Sequence, residues 1–365
     1  MNVQGIDIER LTVSVYQVPT ERPRSDATRK WDHTTIVVVE AHAGGTVGLG
    51  YTYADSAAAL FIRDVLGDVV AGRDALAVAA AHAAMQQAIR EAGRPGIAES
   101  ALSAVDVALW DLKAHLLEVP LVLLLGAHRK SVPVYGSGGF TSESIPQLRE
   151  QLQQWVAKGI RRVKMKVGRL PEDDRARVAA ARDTVGLGVE LYVDANGGYT
   201  RKEALKRADE FAALDVTWFE EPVSSDDLDG LRLIRDRAPA GVEIAAGEYG
   251  YDRFYFRRML AAGAVDVLQV DARRCGGVTG FCEAASLARA FGIPVSSHTA
   301  PALHAHVCCA VPGVRHVEYF SEHVRVEGML FDGVPSAVNG MLTPDLSAPG
   351  LGLALRRADA QRHAV

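Results

Sequence analysis

The sequence predicts an α/β protein in which a parallel (β/α) barrel follows a separate, smaller α+β unit. From Val132 onward, short apolar, β-branched runs alternate with helix-like segments, which is the pattern of a parallel α/β structure. Ahead of them the order differs, with strand-like runs first and then a long alanine-rich helical stretch. Finally, an ionisable residue stands at or just past the end of successive strand-like runs, which decides between a closed barrel and an open sheet.

Residues 8–18 and 34–41 alternate apolar and polar side chains and read as strands, and Gly44, Gly45, Gly48 and Gly50 punctuate a turn after them. Between the two runs, residues 19–33 are polar and basic, with Arg22, Arg24, Arg29 and Lys30, and read as a long loop. A loop of that length without structure of its own is usually functional or disordered. Residues 57 to about 117 read as helical, with few breakers outside 93–96.

In the second part the strand-like runs are 132–135, 162–167, 190–193, 216–219, 242–246, 265–270, 293–297 and 317–319, with helix-like segments such as 145–157, 171–184 and 201–213 between them. The residues at their ends are Lys166, Asp194, Glu220, Glu248, Asp271, His298 and Glu318, spaced by 28, 26, 28, 23, 27 and 20 positions. One βα unit of a barrel takes about 30 residues, so each strand delivers one such group in turn. In a barrel the strand ends converge on one mouth. In an open sheet they would lie along a line too long to surround one ligand, and the register therefore favours the barrel.

Composition narrows the function classes. Of 365 residues, 48% are hydrophobic and 23% charged, ordinary for a globular chain. A formal net charge of −5 argues against nucleic acid as a partner. The first residues lack the basic segment and apolar core of a secretory signal, and no apolar run is long enough to span a bilayer. Cys275, Cys282, Cys308 and Cys309 have neither CxxC nor disulfide-framework spacing. A cytoplasmic protein with no membrane partner is expected.

The chemistry lies in the strand ends. Lys164 and Lys166 alternate in Arg-Val-Lys-Met-Lys-Val-Gly, so both point to one face. Alternating lysines alone usually mark a solvated strand, but a strand leading at once into Gly168 and a helix is buried, and buried lysines need partners. Asp194, Glu220 and Glu248 end three consecutive strands. Any one of them could cap the following helix, but three in register would repel each other unless a cation sat among them. All-oxygen ligands suit Mg²⁺, and zinc is disfavoured because no His or Cys joins the set. Asp271 and His298 end the next two strands, where a carboxylate behind an imidazole fixes its tautomer and raises its basicity. His304 and His306 follow Pro301 into an alanine-rich run and read as helix residues. Glu221 is either a ligand or a group standing behind the ligands.

These residues together resemble the enolase superfamily and, within it, the mandelate racemase subgroup, whose use of a Lys or His base with Mg²⁺ is a general pattern. The resemblance covers nearly the whole chain. It rests on Ala108-Leu109-Trp110-Asp111-Leu112-Lys113, on Val270-Asp271-Ala272 followed by Gly276-Gly277-Val278-Thr279-Gly280, and on Ser296-Ser297-His298. It implies a modified (β/α)7β TIM barrel over residues 131–335, an N-terminal α+β capping domain over 1–130, and a segment, 336–365, returning to the cap. It further implies Mg²⁺ on Asp194, Glu220 and Glu248, and Lys166 as one acid/base with Lys164 beside it. His298 paired with Asp271 would be the opposite acid/base, and Glu318 would hydrogen-bond the enediolate. A lysine in place of Asp271 would point instead to the muconate-lactonizing subgroup. Tyr249 stands where related chains often have Asn.

The implied partner is a small carboxylate, most simply a sugar acid, and the implied assembly is a homo-oligomer. Candidate substrate contacts are Asn196, Ser137, Arg22, Arg24 and Tyr51. The expected reaction is dehydration to a 2-keto-3-deoxy acid. Racemisation or epimerisation and lactone cycloisomerisation would use the same Lys/His pair. A non-catalytic sugar-acid binder would not need the bases at all. A Schiff-base aldolase gives no reason for three carboxylates in register, and neither glycine cluster has phosphate-loop spacing.

Overall fold

The computed structural model describes residues 5–365. Strands β1 (Arg10–Ser25) and β2 (Lys30–Ala43) form one long antiparallel hairpin, and β3 (Thr46–Thr52) lies on the other side of β2. Residues 19–33, expected as a loop without structure, are the distal end of that hairpin. Pro19 pairs with His33 and Ser25 with Lys30, with a register shift between Pro19 and Arg24. Because β1 is an edge strand, it tolerates prolines and charges that would disqualify a central one. Arg24 anchors the hairpin tip to the barrel, donating to Glu143 at 2.7 Å and Glu322 at 3.2 Å from a buried position.

Gly44 and Gly45 do form the β2–β3 turn, both with positive φ. Gly48 and Gly50 are not turn residues, contrary to expectation. They lie within β3 where its backbone meets the helix Glu99–Leu116. A Cβ on Gly48 would stand 2.3 Å from the Ala108 carbonyl, and one on Gly50 would stand 2.2 Å from that of Ala104. The missing side chains are what let this helix seat against the sheet.

Eight parallel strands make the second unit: β4 (Val132–Ser137), β5 (Arg162–Lys166), β6 (Glu190–Asp194), β7 (Val216–Glu220), β8 (Glu243–Ala246), β9 (Val267–Val270), β10 (Val295–Ser297) and β11 (Val314–Phe320). They pair in chain order, and β11 closes back on β4. A helix follows each of the first seven strands, from Ile145–Ala157 to Pro301–Ala310, giving the (β/α)7β order. Inside the barrel, Tyr135, Tyr192 and Trp218 pack with Ala245 and Val267, and the Tyr192 and Trp218 rings stack at 5.1 Å. This apolar layer is the floor on which the polar mouth stands.

After β11 the chain first returns beneath the barrel, where Met341–Leu342 pairs antiparallel with the foot of β4. It then runs to the cap: Gly350 bridges Pro120, Leu351 N donates to Asp111 at 2.6 Å, and Ala364 bridges Tyr16. Among the described residues, no helix is long and apolar enough to cross a membrane. All four cysteines are free thiols.

Candidate active site

Strand register sets the site. Lys166 pairs with Asp194 and Asp194 with Glu220, so the three stand level at the mouth. Alternation places Lys164 and Lys166 on the inward face, and both are buried. Glu248 lies two residues past β8, after Gly247 at φ +131°, where a Cβ would come within 2.3 Å of the Gln269 carbonyl. Asp271 and His298 directly follow β9 and β10, and Glu318 lies within β11.

The three clustered carboxylates are not helix caps. The helices that follow them begin at Thr200, Asp227 and Asp252, whose own side chains accept from the first-turn backbone. Asp194, Glu220 and Glu248 instead offer oxygens that all lie within 4.8 Å of one another, and all three are buried. Lys164 Nζ is 2.6 Å from Glu220 Oε1, 2.9 Å from Glu318 Oε1 and 3.6 Å from Asp194 Oδ2. Lys166 donates to Asp194. Burial alone would lower both lysines, but the surrounding carboxylates outweigh it and raise them, so both are held as cations. Glu220 is pushed up to about 8 by burial and by Asp194, against the pull of Lys164. Glu221, at φ +38° and buried, is raised by burial and by Glu248, and its Oε1 has no hydrogen-bond partner.

This donor set fits a hard divalent cation. It consists of three buried carboxylates whose oxygens converge, with the unpartnered Glu221 Oε1 buried behind them. Asp194, Glu220 and Glu248 are the groups that could hold such an ion.

The opposite side carries an imidazole. His298 Nδ1 is 2.7 Å from Asp271 Oδ2, and its Nε2 is 3.0 Å from Glu248 Oε2. Burial would lower His298, but Glu248, Asp271 and Glu318 outweigh it and raise it. For Asp271 burial works upward, while Arg273, His298 and Arg274 hold its carboxyl at about 2. Asp271 therefore orients the imidazole without taking its proton. Glu318, held at about 2 by Lys164 and His298 against burial, accepts from Thr299 N at 2.9 Å.

Above these groups a cavity of about 490 Å³ is lined by Lys166, Asn196, Glu248, His298 and Glu318 from the barrel and by the hairpin tip, including Arg29, Lys30, Trp31 and His33, from the cap. Asn196 donates from its amide to Asp194 Oδ2 at 3.3 Å. The other candidate contacts lie elsewhere. Ser137 is fully buried at the end of β4, Arg22 is exposed on β1, and Arg24 is committed to Glu143 and Glu322. Tyr51 faces inward, donating to Glu327 at 2.8 Å, and its neighbour Tyr53 reaches the cavity instead. His304 is a helix residue, accepting from Ala272 N at 3.1 Å.

Sequence reasoning missed Arg273, Arg274, Tyr53 and His323, which all line the cavity. Arg273 and Arg274 stand two and three residues after Asp271, and a charged pair just past a buried strand end was the signal available.

Two family models match the chain: "Mandelate racemase / muconate lactonizing enzyme, N-terminal domain" over residues 10–126, and "Enolase C-terminal domain-like" over 147–360. A 3,6-anhydro-α-L-galactonate cycloisomerase from Streptomyces coelicolor is 35% identical over 87% of this chain and 88% of its own length. The crystal structure of a mandelate racemase/muconate lactonizing enzyme-like protein from Rubrobacter xylanophilus superposes with a TM-score of 0.96 at 54% identity, covering 98% of this chain and all of that one. That of L-talarate/galactarate dehydratase from Salmonella typhimurium, liganded with Mg and L-lyxarohydroxamate, gives 0.90 at 28% identity, covering 99% and 94% of the two chains.

Proposed function

The chain belongs to the mandelate racemase / muconate lactonizing enzyme family of the enolase superfamily, and from that premise we propose that it is a Mg²⁺-dependent sugar-acid dehydratase. The observation that carries this reading is the placement of Lys166 and His298 in one cavity on either side of the carboxylate cluster, the lysine on Asp194 and the imidazole beside Glu248.

Mg²⁺ on Asp194, Glu220 and Glu248 would supply the Lewis acidity that stabilises negative charge on the substrate carboxylate as the α-proton leaves. An ion on Asp194 would offset the carboxylate charge that otherwise keeps Lys166 protonated. Lys166 or His298 takes the α-proton, and Lys164 supports the charge forming on the carboxylate oxygen. His298, oriented by Asp271, then protonates the departing β-hydroxyl. One water is lost, and the resulting enol tautomerises to a 2-keto-3-deoxy acid. Asn196 contacts the substrate from the Asp194 side, and the basic hairpin tip faces its distal end. A small-molecule partner, a cytoplasmic setting and a homo-oligomeric assembly go with this reading.

A second reading is lactone cycloisomerisation, which the similarity to the Streptomyces coelicolor cycloisomerase favours. Both use the same proton abstraction, and they differ in whether an oxygen of the substrate leaves as water or as a ring oxygen. The test is a panel of sugar acids and their lactones with Mg²⁺ in D₂O, assayed for 2-keto acid and for α-deuterium. Keto acid released from an open-chain acid supports dehydration, and ring opening of a lactone supports the second reading. Deuterium exchange with neither product would move the assignment to racemisation or epimerisation.

A further inference from the structure

We propose that Arg273 is a positioning residue that couples the seating of the capping domain to the His298–Asp271 pair, an inference that rests on the acid/base role assigned to His298. The residue is 3% exposed, and its guanidinium reaches three separate parts of the fold. Nε is 2.8 Å from Asp271 Oδ2 and donates to Thr299 Oγ1 at 3.0 Å, while Nη1 donates to the Tyr53 carbonyl at 2.9 Å. Thr52 Oγ1 returns a hydrogen bond to the Arg273 carbonyl at 2.8 Å. The end of β3 is thus clipped to one barrel residue through both its backbone and its side chain.

What Arg273 holds on the barrel side needs holding. Asp271 Oδ2 serves both Arg273 and the His298 Nδ1. The next residues, Thr299 and Ala300, have φ of +51° and +40°, a left-handed conformation that is strained for side-chain-bearing residues and persists only where the surroundings over-determine it. Arg273 fixes Thr299 by its hydroxyl while Glu318 fixes it by its N–H, so His298 leads into a turn pinned at both polar groups. Tyr53, whose carbonyl Arg273 binds, stacks on His323 at 3.5 Å. Lifting β3 from the barrel removes a ligand from the guanidinium, and the same guanidinium sets Asp271. On the other side, the hydrogen bond of Lys166 goes to Asp194 and not to Arg273, Asp271 or Thr299, so loosening this network acts mainly on one of the two acid/base groups.

The deciding measurement needs no substrate. In protein labelled with ¹⁵N-histidine, the Nδ1–H proton of His298, assigned by its disappearance in His298→Asn, reports the hydrogen bond to Asp271. Arg273→Met and the milder Thr52→Val, which touches only the cap side of the clip, are each expected to shift or broaden this resonance at unchanged Mg²⁺ affinity. An unchanged resonance in Thr52→Val overturns the coupling, whether or not Arg273→Met folds. On whichever panel acid turns over, kcat is expected to fall on the order of 100-fold in Arg273→Met with KM held, as for a displaced acid/base group. Arg273→Lys, which keeps the charge but not the three-way geometry, is expected not to rescue it. Silence of the wild type on every acid would count against the function while leaving the resonance to decide the coupling.

Discussion

Lys164 and Glu220 form an ion pair at 2.6 Å in which neither side chain has any exposed surface. The same ammonium lies 2.9 Å from Glu318, whose carboxyl is held at about 2, so removing it strands a charge in a low-dielectric interior, which costs about 3–5 kcal/mol. Lys164→Met is therefore expected to lower the urea midpoint strongly in EDTA. A cation on Glu220 would offset part of the stranded charge, so the loss should be smaller in saturating Mg²⁺. Equal losses in both conditions would show that Glu220 does not serve the ion.

Mg²⁺ itself should stabilise the folded chain. A ligand that binds only the native state at 100 times its Kd contributes about 2.7 kcal/mol. Denaturant titrations with Mg²⁺ and with EDTA are expected to differ by that order in the wild type. Asp194→Asn and Glu248→Gln should erase the difference, because each removes a charged oxygen from a cluster whose donors all lie within 4.8 Å.

How much of this was legible in the sequence depended on how far apart the interacting residues are. Strand alternation and the regular spacing from Lys166 to Glu318 are local signals, and they located eight strands and the residues that meet at the mouth. The hairpin tip was not legible, because what orders it is Arg24 on Glu143 and Glu322, 119 and 298 positions away. Gly48 and Gly50 misled for the same reason: glycine signals a turn locally, and only the helix packed on β3 reveals a close approach. Alternation would put Tyr51 and Tyr53 on one face, but Tyr53 stands one residue past β3, so which of them reaches the cavity was decided by the strand's end and not by its pattern.

Lys166 and His298 flank the cluster, so each should serve one face of the α-carbon. Lys166→Ala and His298→Asn are each expected to reduce turnover by at least about 100-fold, the usual contribution of a positioned acid or base. On an α-epimeric pair such as galactarate and L-talarate, deuterium exchange should survive with one epimer in the first variant and with the other in the second. Loss of exchange with both epimers in both variants would contradict separate faces. Full activity in either variant would remove that residue from the mechanism.

Glu327, outside the cluster of Asp194, Glu220 and Glu248, gives a pH dependence of its own. Its carboxyl is buried, accepts from Tyr51 at 2.8 Å and from Ala302 N at 3.1 Å, and is pushed from 4.5 to about 8, mainly by burial. The folded state thus favours the protonated form. This contribution is fully present below pH 4.5, shrinks as the unfolded chain releases its proton above that, and is lost as pH passes about 8. The slope approaches about 1.4 kcal/mol per pH unit within that window. Glu327→Gln cannot ionise, and its amide can meet the Tyr51 hydroxyl, which is able to accept as well as donate. The variant should therefore lose less stability than the wild type between pH 5 and pH 8, measured by urea unfolding at each pH. Parallel pH profiles for the two proteins would mean that Glu327 is ionised in the folded state and that its burial is compensated by the Tyr51 and Ala302 hydrogen bonds.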